Sequence, residues 1–218
     1  SHELKTPLTS ISGYAELIET GIAKPEDTPG FARKIHVEAS RMIQLVNDIL
    51  QLSHLDNVSE TGAAPAMETV DLLDVARECV ERQKVNARRS YISLTYLGES
   101  APVTGSRVLL DELCQNLCDN AIRYNRPGGK VQIITACTRD GHCTLTVKDN
   151  GIGIPKEAQT SVFERFYRVD KSRSKATGGT GLGLAIVKHI ARIHNARIKL
   201  DSVVDEGTTI TVIFETAS

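Results

Sequence analysis

The sequence Asp149-Asn150-Gly151-Ile152-Gly153-Ile154-Pro155 follows an apolar alternation, Leu145 and Val147, that is typical of a strand. The carboxylate of Asp149 can accept a hydrogen bond from the exocyclic amine of a purine, and the two glycines let backbone approach a ligand closely. A strand that ends in Asp-Asn-Gly is more often an ordinary turn. The stretch predicts a nucleotide site only because other stretches of the chain indicate the same ligand.

The first of these is a helix predicted from about Val108 to Tyr124, with Asn116, Asn120 and Arg123 on one face at i, i+4 and i+7. Amide oxygens suit a Mg²⁺ ion that is shared with nucleotide phosphates. Arginine suits phosphate, and Tyr124 can pack against a base. The alternative is a polar surface face. Asparagine is a poor helix former, so two on one face are an unusual way to build a surface.

A glycine-rich stretch from Gly178 to Val187 comes directly before a helix predicted from about Leu182 to His194, where unpaired N–H groups and the helix dipole attract phosphate. Its spacing is G-x-G-x-G and no strand runs straight into it, unlike a dinucleotide fingerprint. It also lacks the Gly-Lys-Ser/Thr end of a P-loop. Residues 163–168 and the basic residues between 171 and 175 precede it. They predict a lid that meets phosphates, with a nucleic-acid patch or a solvated basic face as the alternative.

The totals describe an ordinary chain of 218 residues, 40% hydrophobic and 24% charged, with one or two compact domains expected. A net charge of -1 gives no support to general nucleic-acid binding. No apolar run reaches the ~20 residues of a membrane helix, and no secretory leader is visible. The chain starts at Ser1 in helix-compatible sequence and is interpreted as a fragment of something longer.

The five cysteines are odd in number and scattered, with no second Cys or His pair at zinc-ligand spacing. They predict reduced thiols that pack as small hydrophobes. These cysteines are Cys79, Cys114, Cys118, Cys137 and Cys143.

Two amphipathic helices are predicted at the start of the chain. From Leu4 to about Gly21 apolar residues recur at 4-3-4-3 spacing, as in an a/d seam, and Pro7 is expected to bend this helix or open it locally. A turn at Lys24–Gly30 leads to a second helix from about Phe31 to Asp56. Such a hairpin buries too little apolar surface alone. Pairing by dimerisation into a four-helix bundle is therefore expected over residues 1–56.

The small and polar residues 57–66 predict a linker. Residues 67–218 then predict an α+β domain, in which helices cover one face of a mostly antiparallel sheet. The predicted strands lie near 68–71, 92–96, 131–133, 145–147, 198–203 and 208–214, and the predicted helices at 72–89, 108–124, 155–166 and 182–194.

The first residues, Ser1-His2-Glu3-Leu4-Lys5-Thr6-Pro7, place an imidazole beside a carboxylate on an exposed helix, with a hydroxyl one helical turn later. A lone histidine is usually unremarkable, but histidine can act as a covalent nucleophile, and Glu3 can orient the ring or take its proton. The similar Ser53-His54-Leu55-Asp56 lacks the Lys-Thr-Pro that follows His2. His54 is therefore interpreted as structural.

Together these stretches resemble the sensor histidine kinases of two-component systems, in particular the phosphate-sensor-like class that includes PhoR and WalK. The resemblance spans nearly the whole chain, and all of the family's sequence boxes occur in order, which is highly specific. The boxes are His2–Pro7, Asn116–Tyr124, Asp149–Gly153, Phe163–Arg168 and Gly179–Gly183.

The resemblance implies a role for each residue of the first box. His2 would be the phosphoacceptor and Glu3 its adjacent base. Thr6 would complete a Glu-x-x-Thr pattern that this family uses to dephosphorylate its partner regulator. The C-terminal domain would have the Bergerat fold, an ATP-binding α/β sandwich.

The resemblance also implies a set of contacts with Mg-ATP. Asn120 would hold Mg²⁺ with Asn116 nearby, Asp149 would bind the adenine amine, and Arg168 would meet a terminal phosphate. Arg123 stands where many relatives have lysine, which keeps the charge but alters its geometry. The other implied nucleotide contacts are Tyr124, Gly151, Gly153, Gly179, Thr180, Gly181, Leu182, Gly183 and Thr208.

The implied activity is ATP-dependent autophosphorylation on His2, followed by phosphoryl transfer to an aspartate of a response regulator's receiver domain. The implied protein is a homodimer and the cytoplasmic portion of a membrane-anchored sensor kinase, with no nucleic-acid or membrane contact in this part. Two alternatives stay open: an ATP-binding dimeric regulatory module that acts as a phosphatase, and an ATPase of the chaperone, topoisomerase or mismatch-repair kind. Spacing does not decide whether transfer to His2 occurs within or between subunits.

Overall fold

The structure, a computed structural model, describes residues 2–61, 65–169 and 179–215. The basic part of the predicted lid, residues 171–175, lies outside these ranges, as does part of the predicted linker.

The N-terminal part is a hairpin of two long helices. Helix α1 (His2–Glu19) and helix α2 (Thr28–Thr61) pack against each other, and the rings of Tyr14 and Phe31 stack with centroids 5.6 Å apart. Helix α1 runs through Pro7 without interruption, and α2 continues to Thr61, beyond the predicted end at Asp56.

Within residues 65–169 and 179–215, the C-terminal part contains seven strands and three further α-helices. The strands are β1 (Glu68–Asp71), β2 (Ser93–Gly98), β3 (Pro102–Gly105), β4 (Lys130–Cys137), β5 (His142–Asp149), β6 (Arg197–Val203) and β7 (Gly207–Glu215). The helices are α3 (Leu72–Arg89), α4 (Arg107–Arg123) and α5 (Gly183–Ile193).

Five strands form one mixed sheet in the order β2-β4-β5-β7-β6. Among the strands that the structure describes, only the β2–β4 pair is parallel, and β1 and β3 form a separate antiparallel pair. Side chains alternate along the central strands, so that Ile133, Leu145, Val147 and Val212 are buried on one face. Helices α3, α4 and α5 supply the other half of this core, and the predicted α+β class is confirmed.

Helix α3 begins where the sequence predicts, because Asp71 caps it. One oxygen of the Asp71 carboxylate accepts hydrogen bonds from the N–H groups of Leu73 (2.9 Å) and Ala101 (2.8 Å), and the other accepts from the Ser100 hydroxyl (2.6 Å). The same side chain therefore starts the helix and ties it to the β2–β3 connection.

Two local predictions are wrong. The helix predicted from Pro155 to Phe166 is only a single 3₁₀ turn, Lys156–Ala158, followed by turns. The side chain of Gln159 instead donates to the carbonyl groups of Ile154 (2.9 Å) and Ser202 (2.8 Å), and Phe166 has a φ of 62°, outside the helical region.

The other is strand β3, which the sequence does not predict because it is short and begins at a proline.

The prediction that all five cysteines are free thiols is also wrong. Cys137 and Cys143 are directly opposed across the β4–β5 hairpin, with Cα atoms 4.1 Å apart, and form a disulfide. The hairpin register, which sequence separation alone does not fix, brings them together. The remaining three, Cys79, Cys114 and Cys118, are buried and free, as predicted.

Candidate active site

Asp149 ends strand β5 and is held by backbone. Its Oδ1 accepts hydrogen bonds from the N–H groups of Gly151 (2.8 Å) and Thr208 (3.3 Å), and no described residue donates to its other oxygen. Burial raises the pKa of the Asp149 carboxyl, although these two hydrogen bonds act in the opposite direction. The carboxylate is thus fixed in place with one oxygen left for a donor such as an exocyclic amine.

The loop after Asp149 touches two other parts of the domain. The N–H of Ile152 donates to the carbonyl of Tyr124 at the end of α4 (3.1 Å), and the N–H of Asp205 donates to the carbonyl of Ile152 (2.9 Å). Gly153 has a φ of 69°, and a Cβ there would overlap the carbonyl of Val203. Only glycine suits this position, and the loop is thereby joined to α4 and to the β6–β7 turn.

The asparagine face of α4 lies against the start of α5. A Cβ built on Gly183 would lie 3.0 Å from Oδ1 of Asn116 and 3.4 Å from Nδ2 of Asn120. The amide nitrogen of Asn116 donates to the carbonyl of Glu112 (3.0 Å), which leaves its oxygen facing α5. No group of His, Cys, Asp and Glu in the described part of the chain could hold a metal by itself. These amide oxygens fit a Mg²⁺ ion that shares its other ligands with phosphates and water.

The N-terminus of α5 is open to an anion. Its N-cap residue, Leu182, makes no side-chain capping bond to the first-turn N–H groups. The N–H of Leu182 itself donates to the hydroxyl of Thr180 (3.3 Å). Free N–H groups together with the helix dipole form a site for phosphate.

The glycine-rich loop joins the remaining sequence boxes. Gly179 lies beside the hydroxyl of Tyr124 and the guanidinium of Arg123, which a built Cβ would approach to 3.1 and 3.4 Å. The carbonyl of Gly181 accepts from the N–H of Phe166 (2.9 Å). The structure therefore brings together the asparagine helix, the Asp149 loop, the aromatic stretch and the glycines that the sequence proposed as one site.

Arg168 lies in this site with two buried guanidinium nitrogens, Nε and Nη2, that have no hydrogen-bond partner among the described residues. Burial lowers the pKa of the Arg168 guanidinium, and so does the nearby charge of Arg41. Tyr124 and Glu3 act in the opposite direction. An arginine with unsatisfied donors, placed next to other cations, is prepared for a multiply charged anion.

The first box starts helix α1, which begins at His2. The side chain of His2 is outside the described part, but the half-buried Glu3 is within electrostatic reach of Arg168. Thr6 is exposed one turn further on, and its carbonyl accepts from the Ser10 hydroxyl (3.2 Å). His54 is exposed as well.

Sequence reasoning missed two carboxylates at this site, Asp48 of α2 and Glu112 of α4. Asp48 is only 7% exposed, and its two oxygens accept hydrogen bonds from Gln44 (2.7 Å) and Thr180 (2.6 Å). Burial, and then the charge of Asp48, raise the pKa of Glu112 to about 7. Asp48 shares a helical face with Leu45, and a carboxylate on an apolar face was a signal available in the sequence.

Comparison with known families matches two models to the chain. Residues 105–218 match the histidine kinase-, DNA gyrase B- and HSP90-like ATPase family, and residues 1–58 match the His Kinase A (phospho-acceptor) domain. The chain belongs to the histidine kinase family. This confirms the resemblance, the predicted enzyme class and the two-part fold of a helical hairpin and an ATP-binding sandwich.

Individual proteins agree with this assignment. The sensor-like histidine kinase SenX3 of Mycolicibacterium smegmatis is 43% identical over 97% of this chain and 54% of its own length. The sensor protein kinase WalK of Staphylococcus haemolyticus is 40% identical over 96% of this chain and 34% of its own length. The chain thus spans about half or less of these relatives.

One similar solved structure is a complex of the histidine kinase ThkA with the response regulator protein TrrA. The match covers 99% of this chain and 59% of the other, with a TM-score of 0.75 and 22% sequence identity, and shows that the fold is shared.

None of the helices in the described ranges is long and apolar enough to cross a membrane.

Proposed function

We propose that this kinase transfers the γ-phosphoryl group of Mg-ATP to a ring nitrogen of His2, and from there to an aspartate of a response regulator. Arg168 is the observation that supports this most. Two of its buried guanidinium nitrogens have no hydrogen-bond partner in the described part of the chain. Arg123 and Tyr124 lie nearby, and Glu3, the neighbour of His2, is within electrostatic reach.

Each part of the ATP molecule has a matching group in the site. The adenine amine would donate to Asp149, and the phosphates would lie at the open N-terminus of α5 beside Gly179–Gly183. Asn116 and Asn120 would supply amide oxygens to Mg²⁺. The ion neutralises charge that develops on the phosphates during transfer.

The first transfer forms one bond and breaks another. The unprotonated ring nitrogen of His2 attacks the γ-phosphorus, and the bond from phosphorus to the bridging oxygen breaks. The electron pair leaves with ADP, and the proton on the other ring nitrogen is released. Glu3 is the adjacent carboxylate that can accept it. In the second transfer a regulator aspartate takes the phosphoryl group, and ThkA with its bound regulator TrrA supplies the precedent for such a partner.

The proposed division of the chain is a dimerisation and phosphotransfer domain at 1–56, a linker at 57–66 and a catalytic domain at 67–218. Dimerisation is supported by Ile43, Val46 and Leu50, which are exposed on one face of α2. SenX3 and WalK carry sensor in their names and extend well beyond the matched part. We therefore propose that the chain is the cytoplasmic portion of a membrane-anchored sensor kinase.

Incubation with γ-labelled ATP tests the first transfer. Acid-labile, base-stable label is expected on the wild-type chain and on a His54→Gln control, and should disappear in His2→Gln. Label that survives His2→Gln would refute the assignment. Asp149→Asn should also abolish labelling, but through lost ATP binding, which equilibrium binding of a fluorescent ATP analogue would show.

We also propose that Glu3 and Thr6 support removal of phosphate from the partner regulator, because Thr6 lies exposed one turn after the phosphoacceptor region. Thr6→Ala should slow dephosphorylation of a pre-phosphorylated regulator while autophosphorylation continues. Thr9→Ala, a neighbouring exposed threonine of α1, is the matched control. Equal dephosphorylation rates for the two variants would exclude a role for Thr6.

A further inference from the structure

Helix α2 holds the glycine-rich loop of the ATP-binding domain through Asp48. The hydroxyl of Thr180 donates to Oδ2 of Asp48 (2.6 Å), and the side-chain amide of Gln44 donates to Oδ1 (2.7 Å). With both oxygens engaged and the side chain buried, Asp48 has one fixed orientation. Thr180 lies among the glycines proposed to hold phosphate. This contact therefore joins the bundle directly to the phosphate end of the site.

A second contact lies two turns further along α2. Nη2 of Arg165 is 2.8 Å from each carboxylate oxygen of Asp56, and Nδ1 of His189 is 3.4 Å from the same carboxylate. Leu52 and Leu55 are buried between the two contacts. The two domains are thus held at both ends of an apolar patch, which restricts rotation of one domain against the other.

The first contact lies near the level of His2 along the bundle. The helices of the hairpin run in opposite directions, and Tyr14 of α1 is level with Phe31 of α2. His2 is about 18 Å before Tyr14 at 1.5 Å per residue, which is the level of Ile43 on α2. Asp48 is about 8 Å beyond that level by the same rise.

Arg168 indicates which side of the bundle the site faces. The charged groups that act on it from the bundle are Glu3 of α1 and Arg41 of α2, both from the same chain and both near the level of His2. Two of its guanidinium nitrogens are buried and have no hydrogen-bond partner among the described residues. The side chain proposed to meet the terminal phosphate is therefore next to the chain's own first box.

We propose that phosphoryl transfer to His2 takes place within one chain, in cis, and that Asp48 is a positioning residue that holds the glycine-rich loop beside the chain's own helix α1. This inference rests on the proposed function, since it specifies the route of the same transfer. Asp48 touches neither ATP nor His2 in this role and acts only through Thr180.

Heterodimers whose two chains carry different affinity tags test whether the phosphoryl group is transferred within one chain. In a dimer of one His2→Gln chain and one Asn120→Asp chain, labelled phosphate can reach His2 only in trans, so we expect no label above background. A dimer of one wild-type chain and one chain with both substitutions can label only in cis, and we expect label on its wild-type chain. Asp149→Asn serves as a second nucleotide-site variant if Asn120→Asp does not fold.

The two heterodimers separate the possible failures. Label in the first dimer would overturn the cis route and leave the proposed function standing. Absence of label in both dimers, and in the wild-type homodimer, would overturn the proposed function and this inference with it.

The role of Asp48 is tested by separating binding from transfer. Asp48→Ala should lower the maximal labelling rate at least tenfold, while affinity for a fluorescent ATP analogue changes less than about threefold. Thr180→Val should also lower the labelling rate, whereas Thr180→Ser, which keeps the hydroxyl, should restore most of the rate. Equal losses of rate and affinity, or a wild-type rate in Asp48→Ala, would show that Asp48 does not position the loop.

Discussion

The hairpin and the ATP-binding domain differ in how completely they bury their own apolar surface. The sheet and helices of the ATP-binding domain enclose Leu145, Val212 and Phe214, each at most 2% exposed. On α2, by contrast, Ile43 and Leu50 are each 64% exposed, on the face opposite to the one that holds Asp48. The ATP-binding domain therefore encloses its own core, while the hairpin leaves an apolar face open for the proposed dimer.

This difference in burial agrees with the separate roles proposed for the two regions, nucleotide binding and phosphoryl acceptance. The residues proposed to bind the nucleotide need fixed geometry, and they lie on an enclosed core. The proposed phosphoacceptor belongs to a hairpin whose stability we expect to depend on association and thus on protein concentration. Two of its carboxylates, Asp48 and Asp56, hold the ATP-binding domain through hydrogen bonds and an ion pair.

The largest expected effect is in the complete core. Phe214→Ala removes a fully buried ring and should lower the free energy of unfolding of the ATP-binding domain by about 3–5 kcal/mol. Val108→Ala, at a position that is 74% exposed, is the matched control and should change it by less than about 0.5 kcal/mol. Chemical denaturation followed by circular dichroism measures both. Similar values for the two variants would mean that this core is not closed as described.

The next effect concerns the open face of the hairpin. Leu50→Glu places a charge in the proposed dimer interface and should weaken dimerisation at least about 100-fold, from the lost burial of two leucines at about 1.5–3 kcal/mol each. Val85→Glu, on the exposed side of α3, should leave the dimer unchanged. Analytical ultracentrifugation over a concentration series gives both constants. Unchanged dimerisation in Leu50→Glu would place the interface elsewhere.

A smaller effect is the pH dependence of the contact between the regions. Burial, and then the nearby charge of Asp48, raise the pKa of Glu112 from 4.5 to about 7, and Gln44 and Thr180 hold Asp48 at this contact. We expect separation of the domains to expose Glu112 and remove Asp48 from it, so the docked arrangement binds a proton that the separated domains release. Docking is then strongest below about pH 4.5 and weakens as pH rises from there through about 7.

Small-angle X-ray scattering at pH 6 and pH 8 measures this effect as a shift from compact to extended molecules. Glu112→Gln, which imitates the protonated form, should remain compact at both values. A wild-type profile that does not change, or a Glu112→Gln profile that still does, would contradict the assignment to this carboxyl.

The smallest effect is expected from the exposed ion pair between Arg126 and Asp205, which links the α4–β4 loop to the β6–β7 turn. Solvent screens such pairs, so a double-mutant cycle with alanine should give a coupling of less than about 1 kcal/mol. A larger coupling would show that this edge of the nucleotide site depends on electrostatics rather than on its backbone hydrogen bonds.

The sequence was a good guide wherever the determining interactions are local. Helix α3 has a capping aspartate at its start, and its predicted and observed bounds coincide at Leu72 and Arg89. The asparagine helix and the glycine-rich helix start also lie within a residue of their predicted positions. Each of these elements carries its own periodicity and end signals.

The misses share a different cause, because each depends on a partner that is distant in sequence or on a register. The Cys137–Cys143 pair is set by which residues face each other across a hairpin, and β3 exists because β1 is there to pair with it. Asp48 and Thr180 are 132 positions apart, and only the docking of the two domains makes them a pair. Neither residue signals the other in the sequence.

Transfer to His2 fixes where the phosphoryl group must be found after reaction with ATP. Mass-spectrometric mapping of peptides, kept at alkaline pH to preserve phosphohistidine, should find phosphate on the peptide that contains His2, and none on those that contain His36 or His54. Phosphate on His36 or His54, or on no histidine of an ATP-binding chain, would contradict it.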